Sequence, residues 1–444
     1  MLVNKQLSTL HQQQRYLVVG LGLTGYSVAH YLLSHGYDCV VQDDREQPPY
    51  LNKLCENFPG VQVIQQALAE THTDDVDCFV VSPGISIRSD FLKKVSQSGK
   101  RVIGDIELFA EAVDKPVLAI TGSNGKSTVT RLLGDMIAAD GFNVAVGGNI
   151  GVPALDLLDK NANFYVLELS SFQLETTFNL KPLVATLLNV SEDHMDRYDD
   201  LKDYQQTKLS IGTNAMHFIS NSDDAATMSS INDIRFSLTD QTAPYTVVNH
   251  SVPQLAVRGE PWVDVTELKV KGSHNWANCL AAMAMAEIAG ISRTSIVSSL
   301  KEFKGLPHRS EWVASIDGVN WINDSKATNP GASQAAIEGM GAPVILIAGG
   351  QSKGADMTSL CTSLTMHVKT VLLMGQDAEL ISQSWSNCTD IQCVDSMDEA
   401  VKRAHTIAKE GDVVLLSPAC ASFDMYSGFE ARGEHYCELV RAIK

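Results

Sequence analysis

Short apolar runs alternate along the chain with longer segments in which apolar residues recur with the period of an α-helix. The first run covers residues 16–20, and a glycine-rich turn follows it. The next segment has apolar residues at positions 28, 29, 32 and 33, and Gly36 is placed to end a helix there. This order predicts a β-strand, a tight turn and a helix that packs back against the strand.

A second set of elements begins with the apolar run 116–120. The helix predicted after it carries apolar residues at positions 129, 132, 133, 136 and 137, which form one stripe of a helix surface, and Gly141 ends it. Further strands are predicted at 164–169 and 183–190. The region from about 215 to 270 also favours strands, but its pattern does not predict their order.

A third set has predicted strands at 319–322, 343–348, 370–374 and 412–417, separated by helical segments such as 397–409. Strands that alternate with helices are typical of parallel sheets covered by helices. The chain is therefore predicted to be an α/β protein of three domains, with boundaries that give 1–103, 104–308 and 309–444. The length of 444 residues agrees with this number, since a domain usually has about 100 to 200 residues.

Composition and charge narrow the functional classes. Apolar residues make up 44% and charged residues 19%, as in folded globular proteins. The net charge of −18 disfavours binding to nucleic acid or a membrane surface, because phosphate groups repel such a chain. The nine cysteines are odd in number and contain no C-x-x-C pair, so we expect reduced thiols. With no signal peptide and no apolar run of membrane-spanning length, we expect a cytoplasmic protein.

The first glycine-rich turn, Gly20-Leu-Gly-Leu-Thr-Gly25, fits the G-x-G-x-x-G pattern, and Asp43 lies 23 residues beyond Gly20. Glycines in such a turn let a phosphate approach the backbone at the N-terminus of a helix. Taken alone, the turn fits a nicotinamide enzyme, a protein that binds another nucleotide, or a turn that serves only packing.

A second loop, Thr121-Gly-Ser-Asn-Gly-Lys-Ser-Thr128, lies between a predicted strand and a predicted helix, where phosphate-binding loops are found. Backbone N–H groups would hold the phosphates, Lys126 would reach the β- and γ-phosphates, and the Ser127 hydroxyl would bind Mg²⁺. The loop departs from G-x-x-x-x-G-K-[ST], since Ile120 occupies the first glycine position and the glycine is instead Gly122. Its position between strand and helix still favours a phosphate site over a loop without function.

Two further side chains follow strands of the same predicted sheet. Glu168 comes after the run 164–167 and is placed to ligate a phosphate-bound Mg²⁺. His194 comes after the run 187–190. Without the loop at 121–128, Glu168 would be interpreted as a solvated acid and His194 as a structural histidine.

Two lysines follow strands of the third predicted domain. Lys326 comes after 319–322 and Lys353 after 343–348. Because ligands of open α/β sheets bind beyond the carboxyl ends of strands, these lysines predict an anion site, although each alone could be an exposed loop lysine. The small residues at 417–422 could offer backbone N–H groups to a carboxylate, whereas Cys420 is a weak candidate for a nucleophile because no activating partner is visible.

Together these segments resemble the Mur ligases of peptidoglycan synthesis, and among them the members that add D-glutamate. The resemblance runs along essentially the whole chain. The segments that carry it most specifically are Thr121–Thr128, Val166–Glu175, Asn189–Tyr198, His274–Asn278, Gly305–Arg309, Asn323–Thr328 and Ser417–Ser422. A chance match to this ordered series is negligible.

The resemblance implies a Rossmann-like N-terminal domain for UDP, a central P-loop ATPase-type domain and a Rossmann-like C-terminal domain for the amino acid. The implied reaction is ATP-driven amide formation. The carboxylate of UDP-N-acetylmuramoyl-L-alanine attacks the γ-phosphate, and the amine of D-glutamate then displaces phosphate from the acyl phosphate. The first glycine-rich turn would serve UDP and not a nicotinamide. The residues implied for the UDP substrate are Leu23, Thr24, Asp43, Arg45, Ser82, Gly84, Asn149 and Gln173.

The same resemblance implies the remaining site residues, with ATP and two Mg²⁺ ions as cofactors. Those implied for ATP are Gly122, Asn124, Gly125, Lys126, Ser127, Thr128, Asn275, Asn278, Arg309 and Asp324. Those implied for catalysis are Lys126, His194, Lys208 and Lys326, and those for the metal are Ser127, Glu168, His194 and Lys208. Those implied for D-glutamate are Thr328, Lys353, Ser422 and Phe429. We also expect a monomer with small-molecule partners and a role in cell-wall formation, cell shape and cell division.

Lys208 matches a lysine that family members carry as a carbamate, which turns a cation into a metal ligand with two oxygens. From the residues alone it would be an ordinary helix-surface lysine. Three positions depart from the family pattern: Ser352 stands where Asp is common, Phe423 where Leu is common and Asp44 where Thr is frequent. These departures concern local contacts and not the reaction.

Three other functions are alternatives to a D-glutamate-adding ligase. A nicotinamide dehydrogenase would leave the loop at 121–128 and both C-terminal lysines without a role. A catalytically inactive homologue would be expected to lose phosphate or metal residues, yet Lys126, Glu168 and His194 are present. A folylpolyglutamate-type ligase shares the central chemistry but does not require the first glycine-rich turn.

Overall fold

The computed structural model describes residues 14–159, 161–230, 233–249, 251–270 and 272–443. The described chain forms two compact units. Unit 1 contains the residues up to 121 together with 133–187 and 206–219. Unit 2 contains 122–132, 188–205 and the residues from 220 onward.

The first sheet lies in unit 1 and has five strands, β1 (Arg15–Val19), β2 (Asp38–Asp43), β3 (Gln62–Gln65), β4 (Cys78–Val81) and β5 (Arg101–Ile103). All neighbours are parallel, in the order β3-β2-β1-β4-β5. The helices of this region are α1 (Leu23–Ser34), α2 (Leu51–Asn57), α3 (Asp90–Gln97) and α4 (Asp105–Ala112). Because the strand order reverses between β1 and β4, a ligand crevice is expected beyond their carboxyl ends.

Apolar residues cover both faces of this sheet. Val18 packs in a cluster on one face, while Leu17 and Val19 pack in a cluster on the other. All three side chains are buried. A strand that is apolar at every position is typical of a parallel sheet with helices on both sides.

Unit 1 also contains four parallel strands in the order β9-β6-β8-β7, namely β6 (Val117–Thr121), β7 (Val144–Gly148), β8 (Phe164–Glu168) and β9 (Val184–Leu187). Helix α5 (Lys126–Ala139) begins in unit 2 and continues in unit 1, and the short helix α6 (Ser171–Leu174) follows β8. The predicted stripe of α5 is buried, and Gly141 lies just past its end with φ +87°. Helix α7 (Leu201–Leu209) and strand β10 (His217–Asn221) complete this part of the chain.

The region whose order the sequence did not predict contributes β11 (Ile234–Ser237), β12 (Tyr245–Asn249), β13 (Pro253–Val257) and β14 (Glu260–Asp264) to unit 2. The first pair is parallel, and the following pairs are antiparallel hairpins. Two helices come next, α8 (Ser273–Ile288) and α9 (Arg293–Glu302).

The last sheet, also in unit 2, has the order β15-β16-β20-β17-β18-β19. Its strands are β15 (Glu311–Ile316), β16 (Val319–Asn323), β17 (Val344–Gly349), β18 (Val368–Met374), β19 (Asp390–Cys393) and β20 (Val413–Leu416). Only the β15–β16 pair is antiparallel among the pairs described in this sheet. The helices are α10 (Pro330–Gly339), α11 (Cys361–His367), α12 (Ala378–Trp385), α13 (Met397–Ile407) and α14 (Phe429–Arg441). Trp321 belongs to the core on one face and Trp385 to the core on the other.

The predicted α/β class is confirmed, whereas one expectation about the cysteines is wrong. Cys361 and Cys388 form a disulfide, with Cα atoms 5.3 Å apart, so these two are not reduced thiols. They are 27 residues apart in the chain, and only the packing of the C-terminal domain brings them together. Among the residues that the structure describes, no helix is both long and apolar enough to cross a membrane. The domain boundaries at 103/104 and 308/309 stay predictions.

Candidate active site

A cavity of about 640 Å³ opens in unit 1 beyond the carboxyl ends of β1 and β4. All eight residues predicted for the UDP substrate line it: Leu23, Thr24, Asp43, Arg45, Ser82, Gly84, Asn149 and Gln173. Asp44, one of the departures from the family pattern, lies in the same wall. The structure therefore brings together residues that are up to 150 positions apart in the chain.

Tight packing explains the glycines of the first turn. A Cβ atom on Gly25 would lie 1.7 Å from the carbonyl oxygen of Gly20, and Gly20 has φ +92°. A side chain at Gly25 would therefore push α1 away from the turn. Because α1 begins at Leu23, its N-terminal N–H groups face the position where a phosphate would bind.

Asp43 fixes the floor of this cavity. Its Oδ2 accepts from the Leu21 N–H at 2.7 Å, and its Oδ1 accepts from the Arg45 N–H at 3.0 Å and from Arg45 Nε at 2.8 Å. Burial raises the pKa of Asp43, but the hydrogen bonds from Arg45 and Leu21 outweigh that effect and hold the pKa at about 2. The carboxylate is therefore ionised at neutral pH.

Side chains in the opposite wall of the cavity form hydrogen bonds with buried carboxylates, one of them at the end of β8. Asn149 Nδ2 donates to Glu168 Oε1 at 2.8 Å, and Gln173 Nε2 donates to Asp105 Oδ2 at 3.1 Å. Glu168 is 1% exposed, and its Oε2 has no hydrogen-bond partner within the described part of the chain. A buried, unpaired carboxylate oxygen is a donor atom suited to Mg²⁺, which prefers oxygen ligands.

A second cavity, of about 560 Å³, lies in unit 2. Seven of the ten residues predicted for ATP line it, together with the predicted catalytic Lys326: Asn124, Gly125, Thr128, Asn275, Asn278, Arg309, Asp324 and Lys326. Gly122, Lys126 and Ser127 belong to the loop and helix start beside it, without lining its wall.

Hydrogen bonds hold the phosphate-binding loop in shape. Lys126 Nζ donates to the carbonyl oxygens of Gly122 at 2.8 Å and Ser123 at 2.9 Å. Gly125 has φ +83°, and a Cβ atom on it would lie 2.3 Å from Asn278 Oδ1. The lysine thus stays over its own loop, and glycine at 125 allows α8 to approach the loop closely.

Arg309 connects the C-terminal domain to the start of α5 within unit 2. Its Nη2 donates to Ser127 Oγ at 2.7 Å. A guanidinium at this point can neutralise negative charge on a nucleotide beside the loop. This contact agrees with the ATP role predicted for both residues.

Asp324 is a buried carboxyl in the wall of the second cavity. Its Oδ1 accepts from the Ser310 N–H and its Oδ2 from Ser417 Oγ, both at 2.9 Å. Burial raises the pKa of Asp324 to about 7, although these hydrogen bonds act in the opposite direction. His274 lines the same cavity, and burial lowers its pKa to about 4, so the imidazole is neutral at pH 7.

The predicted metal ligands are divided between the units. Ser127 and His194 belong to unit 2, and Glu168 and Lys208 to unit 1. Ser127 and Lys208 are buried, so the expectation that Lys208 is an ordinary helix-surface lysine is wrong. A lysine is almost never fully buried unless it is paired or modified. The described residues contain no group of three or more His, Cys, Asp or Glu side chains arranged for a metal, which is compatible with Mg²⁺ because phosphates and water supply most of its ligands.

The residues predicted for D-glutamate lie in the C-terminal domain. Lys326 Nζ is 3.7 Å from the centroid of the Phe429 ring, so the structure brings these two together. Thr328, Lys353 and Ser422 do not line the 560 Å³ cavity. Ser352, the departure from the family pattern, donates from its N–H and its hydroxyl to Asp377 Oδ2, both at 2.7 Å. Phe423, another departure, is exposed.

Two groups that support the predicted site were not predicted from the sequence. Asn189 Oδ1 accepts from the Asn124 N–H at 2.8 Å and so supports the phosphate loop. Arg432 is 1% exposed and donates to the carbonyl oxygens of Ser325 at 2.8 Å and Cys420 at 3.2 Å. Arg432 therefore ties together the loops after β16 and β20. Nothing in the local pattern distinguishes it from an arginine on a helix surface.

Comparisons with known proteins agree with this geometry. Three family models match this chain. Residues 14–104 match the family described as "Mur ligase MurD-like, N-terminal domain". Residues 120–286 match "Mur ligase middle domain", and residues 308–420 match "Mur ligase, glutamate ligase domain". Curated relatives named UDP-N-acetylmuramoylalanine--D-glutamate ligase include one from Coxiella burnetii, 42% identical, with 96% of this chain and 98% of the relative covered. Another, from Legionella pneumophila, is 43% identical, with 96% and 99% covered.

Solved structures show the same fold. A pseudomurein peptide ligase type C from Methanothermus fervidus has a TM-score of 0.63 at 19% identity, with 97% of this chain and 100% of that chain covered. A UDP-N-acetylmuramate-alanine ligase from Thermotoga maritima has a TM-score of 0.61 at 20% identity, with the same coverage. The three-domain α/β architecture of these proteins is therefore shared by this chain.

Proposed function

This chain belongs to the Mur ligase family, and from that membership we infer that it is an ATP-dependent ligase that adds D-glutamate to UDP-N-acetylmuramoyl-L-alanine in peptidoglycan synthesis. One observation carries the substrate assignment: all eight residues predicted for the UDP substrate line a single cavity. This cavity distinguishes the chain from a folylpolyglutamate-type ligase, whose reaction does not require it. We place the reaction in the cytoplasmic stage of the pathway and propose that a monomer performs it.

Recognition of the UDP substrate begins at the first glycine-rich turn. The N–H groups at the start of α1 and the positive end of the helix dipole attract the pyrophosphate. Asp43, ionised and bonded to Arg45 and to the Leu21 N–H, holds the turn in place. Asn149 and Gln173 lie in the opposite wall and reach the sugar-linked part of the substrate.

Phosphoryl transfer takes place at the loop 121–128. A carboxylate oxygen of the L-alanine part attacks the γ-phosphorus, the bond to ADP breaks, and an acyl phosphate results. Lys126 and Arg309 neutralise charge that moves onto the phosphate oxygens. Asn275, Asn278 and Asp324 hold the nucleoside side of ATP in the wall of the same cavity.

Mg²⁺, when bound, would supply positive charge that stabilises the phosphate groups of ATP. We assign four residues to two Mg²⁺ ions: Ser127 and His194 in unit 2, and Glu168 and the carbamate form of Lys208 in unit 1. The unpaired Oε2 of Glu168 and the burial of Lys208 support these assignments.

The second step forms the amide bond. The amine nitrogen of D-glutamate attacks the acyl carbon, phosphate leaves with its bonding electron pair, and the nitrogen loses a proton. We assign Thr328, Lys353, Ser422 and Phe429 to hold D-glutamate, and Lys326 to the position beside the reacting phosphate and carboxylate. The ammonium group of Lys353 suits this substrate because D-glutamate carries two carboxylates.

The decisive experiment is phosphate release with Mg·ATP, UDP-N-acetylmuramoyl-L-alanine and a panel of D- and L-amino acids, with each component omitted in turn. We expect release and an amide product only when D-glutamate and both other substrates are present. Release with a different amino acid would move the chain within the family. No release with any mixture would identify a catalytically inactive relative, and competition by a folate would indicate the folylpolyglutamate type.

A further inference from the structure

We propose that Asp105 is a positioning residue for the UDP substrate, because it fixes the side-chain amide of Gln173 in the wall of the UDP cavity. This inference rests on the proposed function, which assigns Gln173 to the sugar-linked part of that substrate. Gln173 lines the cavity, and Asp105, which is not among the lining residues, accepts a hydrogen bond from it.

Both ends of the Gln173 amide are held by the protein. Oε1 accepts from the Ser170 N–H at 3.1 Å, as part of a capping box at the start of α6. Nε2 donates to Asp105 Oδ2 at 3.1 Å. An ionised carboxylate can only accept hydrogen bonds, so the nitrogen end of the amide must face Asp105. One N–H of Nε2 bonds to Asp105, and the other remains for the substrate. Because the amide group is planar, the bond to Asp105 also fixes the direction of this second N–H.

Burying the carboxylate of Asp105 is unfavourable for folding, and packing alone does not explain why it is buried. It is 2% exposed and is the first residue of α4. Its Oδ2 accepts from Gln173, whereas its Oδ1 is buried and has no hydrogen-bond partner in the part of the chain that the structure describes. Burial raises the pKa of Asp105 to about 6, although Gln173 and the backbone N–H groups of Ile106 and of Asp105 itself favour the charged form and act in the opposite direction. A functional role for its interaction with Gln173 accounts for this arrangement.

Other contacts dock α4 against the α6 region without Asp105. Glu107 Oε2 accepts from the N–H groups of Phe178 at 2.7 Å and Asn179 at 2.9 Å. The Gly104 N–H donates to the Thr176 carbonyl oxygen at 3.2 Å. Glu107 is as buried as Asp105 and lies two residues away on the same helix, but its hydrogen bonds go to Phe178 and Asn179 instead of Gln173. It is therefore a matched control for the loss of a buried carboxylate that only docks the helix.

The test compares steady-state kinetics of Asp105→Ala and Glu107→Ala with those of the wild type. For Asp105→Ala we expect KM for UDP-N-acetylmuramoyl-L-alanine to rise about 10-fold or more, with KM for ATP and D-glutamate changed less than about 2-fold. The dissociation constant of UDP alone should change less than about 2-fold, because Gln173 serves the sugar-linked part and not the nucleotide. Glu107→Ala should lower the thermal midpoint and change this KM less than about 3-fold.

Two further variants separate positioning from a structural effect. Asp105→Asn retains an oxygen that can accept from Gln173 Nε2, so its KM should return to within about 3-fold of the wild type. In a double-mutant cycle, Asp105→Ala should add little to the KM of Gln173→Ala, because the first change acts only through the second residue. If Asp105→Ala does not fold, Asp105→Leu fills a similar volume without an acceptor and is expected to show the same selective rise in KM.

Either of two results would overturn the inference. One is a normal KM for the UDP substrate in both Asp105→Ala and Asp105→Leu; the other is a KM of the double mutant that rises by the product of the two single effects. Failure of the proposed function is recognised separately, since the wild type would then release no phosphate with D-glutamate, whatever the variants do.

Discussion

At the scale of single residues, the cations of the phosphate loop have separate tasks. Lys126 bonds to two carbonyl oxygens of its own loop, so its ammonium group stays over the loop that we assign to the ATP phosphates. Arg309 reaches the same region from the start of the C-terminal domain and contacts Ser127. Charge neutralisation is the main protein contribution to phosphoryl transfer, and each cation is therefore expected to affect the rate more than the fold.

For Lys126→Ala we expect kcat/KM to fall by a factor on the order of 10³, because about 3–4 kcal/mol of transition-state stabilisation is lost. The thermal midpoint should change little. Phosphate release measures the first quantity and thermal unfolding the second. Turnover close to that of the wild type would contradict the ATP-site assignment.

Lys208→Ala tests the carbamate. A buried carbamate supplies two oxygens for a metal, so we expect the variant to be inactive and to regain activity when a short-chain carboxylate such as acetate is added. Lys202→Ala, an exposed lysine on the same helix, is the control and should be active without any additive. A fully active Lys208→Ala enzyme in plain buffer would reject the metal role.

At the scale of elements, two strand–turn–helix units contribute to the two proposed ligand sites, because each points a helix N-terminus towards the place that we assign to a phosphate. In α1 this requires close contact between the helix and the preceding turn, which Gly25 permits. In α5 the corresponding close contact is between Gly125 and Asn278 of α8. The glycines thus act on how elements pack against each other, and their effect extends to the ligand sites.

Gly25→Ala should destabilise the protein by about 1–3 kcal/mol, since the new methyl group would meet the Gly20 carbonyl oxygen, although alanine is the better helix former. Affinity for UDP should fall with it, because the turn lines the cavity. Gly22→Ala is the control: a Cβ atom on Gly22 would have no neighbouring atom within 4 Å, and the φ of this residue is −83°. We expect Gly22→Ala to change stability by less than about 1 kcal/mol. Chemical unfolding of both variants would show whether the difference exists.

At the scale of the whole molecule, buried carboxyls make stability depend on pH. Asp105 and Asp324 have pKa values raised to about 6 and about 7, above the ordinary value of 3.8, because burial disfavours their charged forms. The folded protein therefore binds more protons than the unfolded chain between pH 4 and the raised values. Their contribution to stability is complete below about pH 4 and is lost as the pH rises through 6 and 7. Asp43, with a pKa lowered to about 2, acts in the opposite sense and loses its contribution as the pH falls below 4.

Asp105→Asn isolates one of these contributions. The wild type buries a charge at pH 8 but largely a neutral carboxyl at pH 5, whereas asparagine is neutral at both. The stability of the variant relative to the wild type should therefore increase from pH 5 to pH 8, by a value on the order of 2 kcal/mol. Thermal or chemical unfolding at the two pH values measures this difference. A difference that does not change with pH would show that Asp105 keeps an ordinary pKa.

The sequence by itself determined the local features of this protein. Hydrophobic periodicity located the strands and helices of the α/β fold, because burial on one face of a helix or both faces of a sheet needs a fixed spacing. Glycines, Lys126 and Ser127 identified the phosphate loop, since its chemistry depends on residues that are adjacent in the chain. The order of distant segments identified the family, and with it the reaction.

Tertiary structure alone decided which distant groups meet. The pairing of Cys361 with Cys388, the burial of Lys208 and the bond between Asp105 and Gln173 depend on packing between elements that are far apart in the chain. The order of β11 to β14 likewise depends on pairing between strands and not on the pattern of any one strand. Local patterns report how much of a residue must be buried, but not against which partner, because many partners bury the same apolar area.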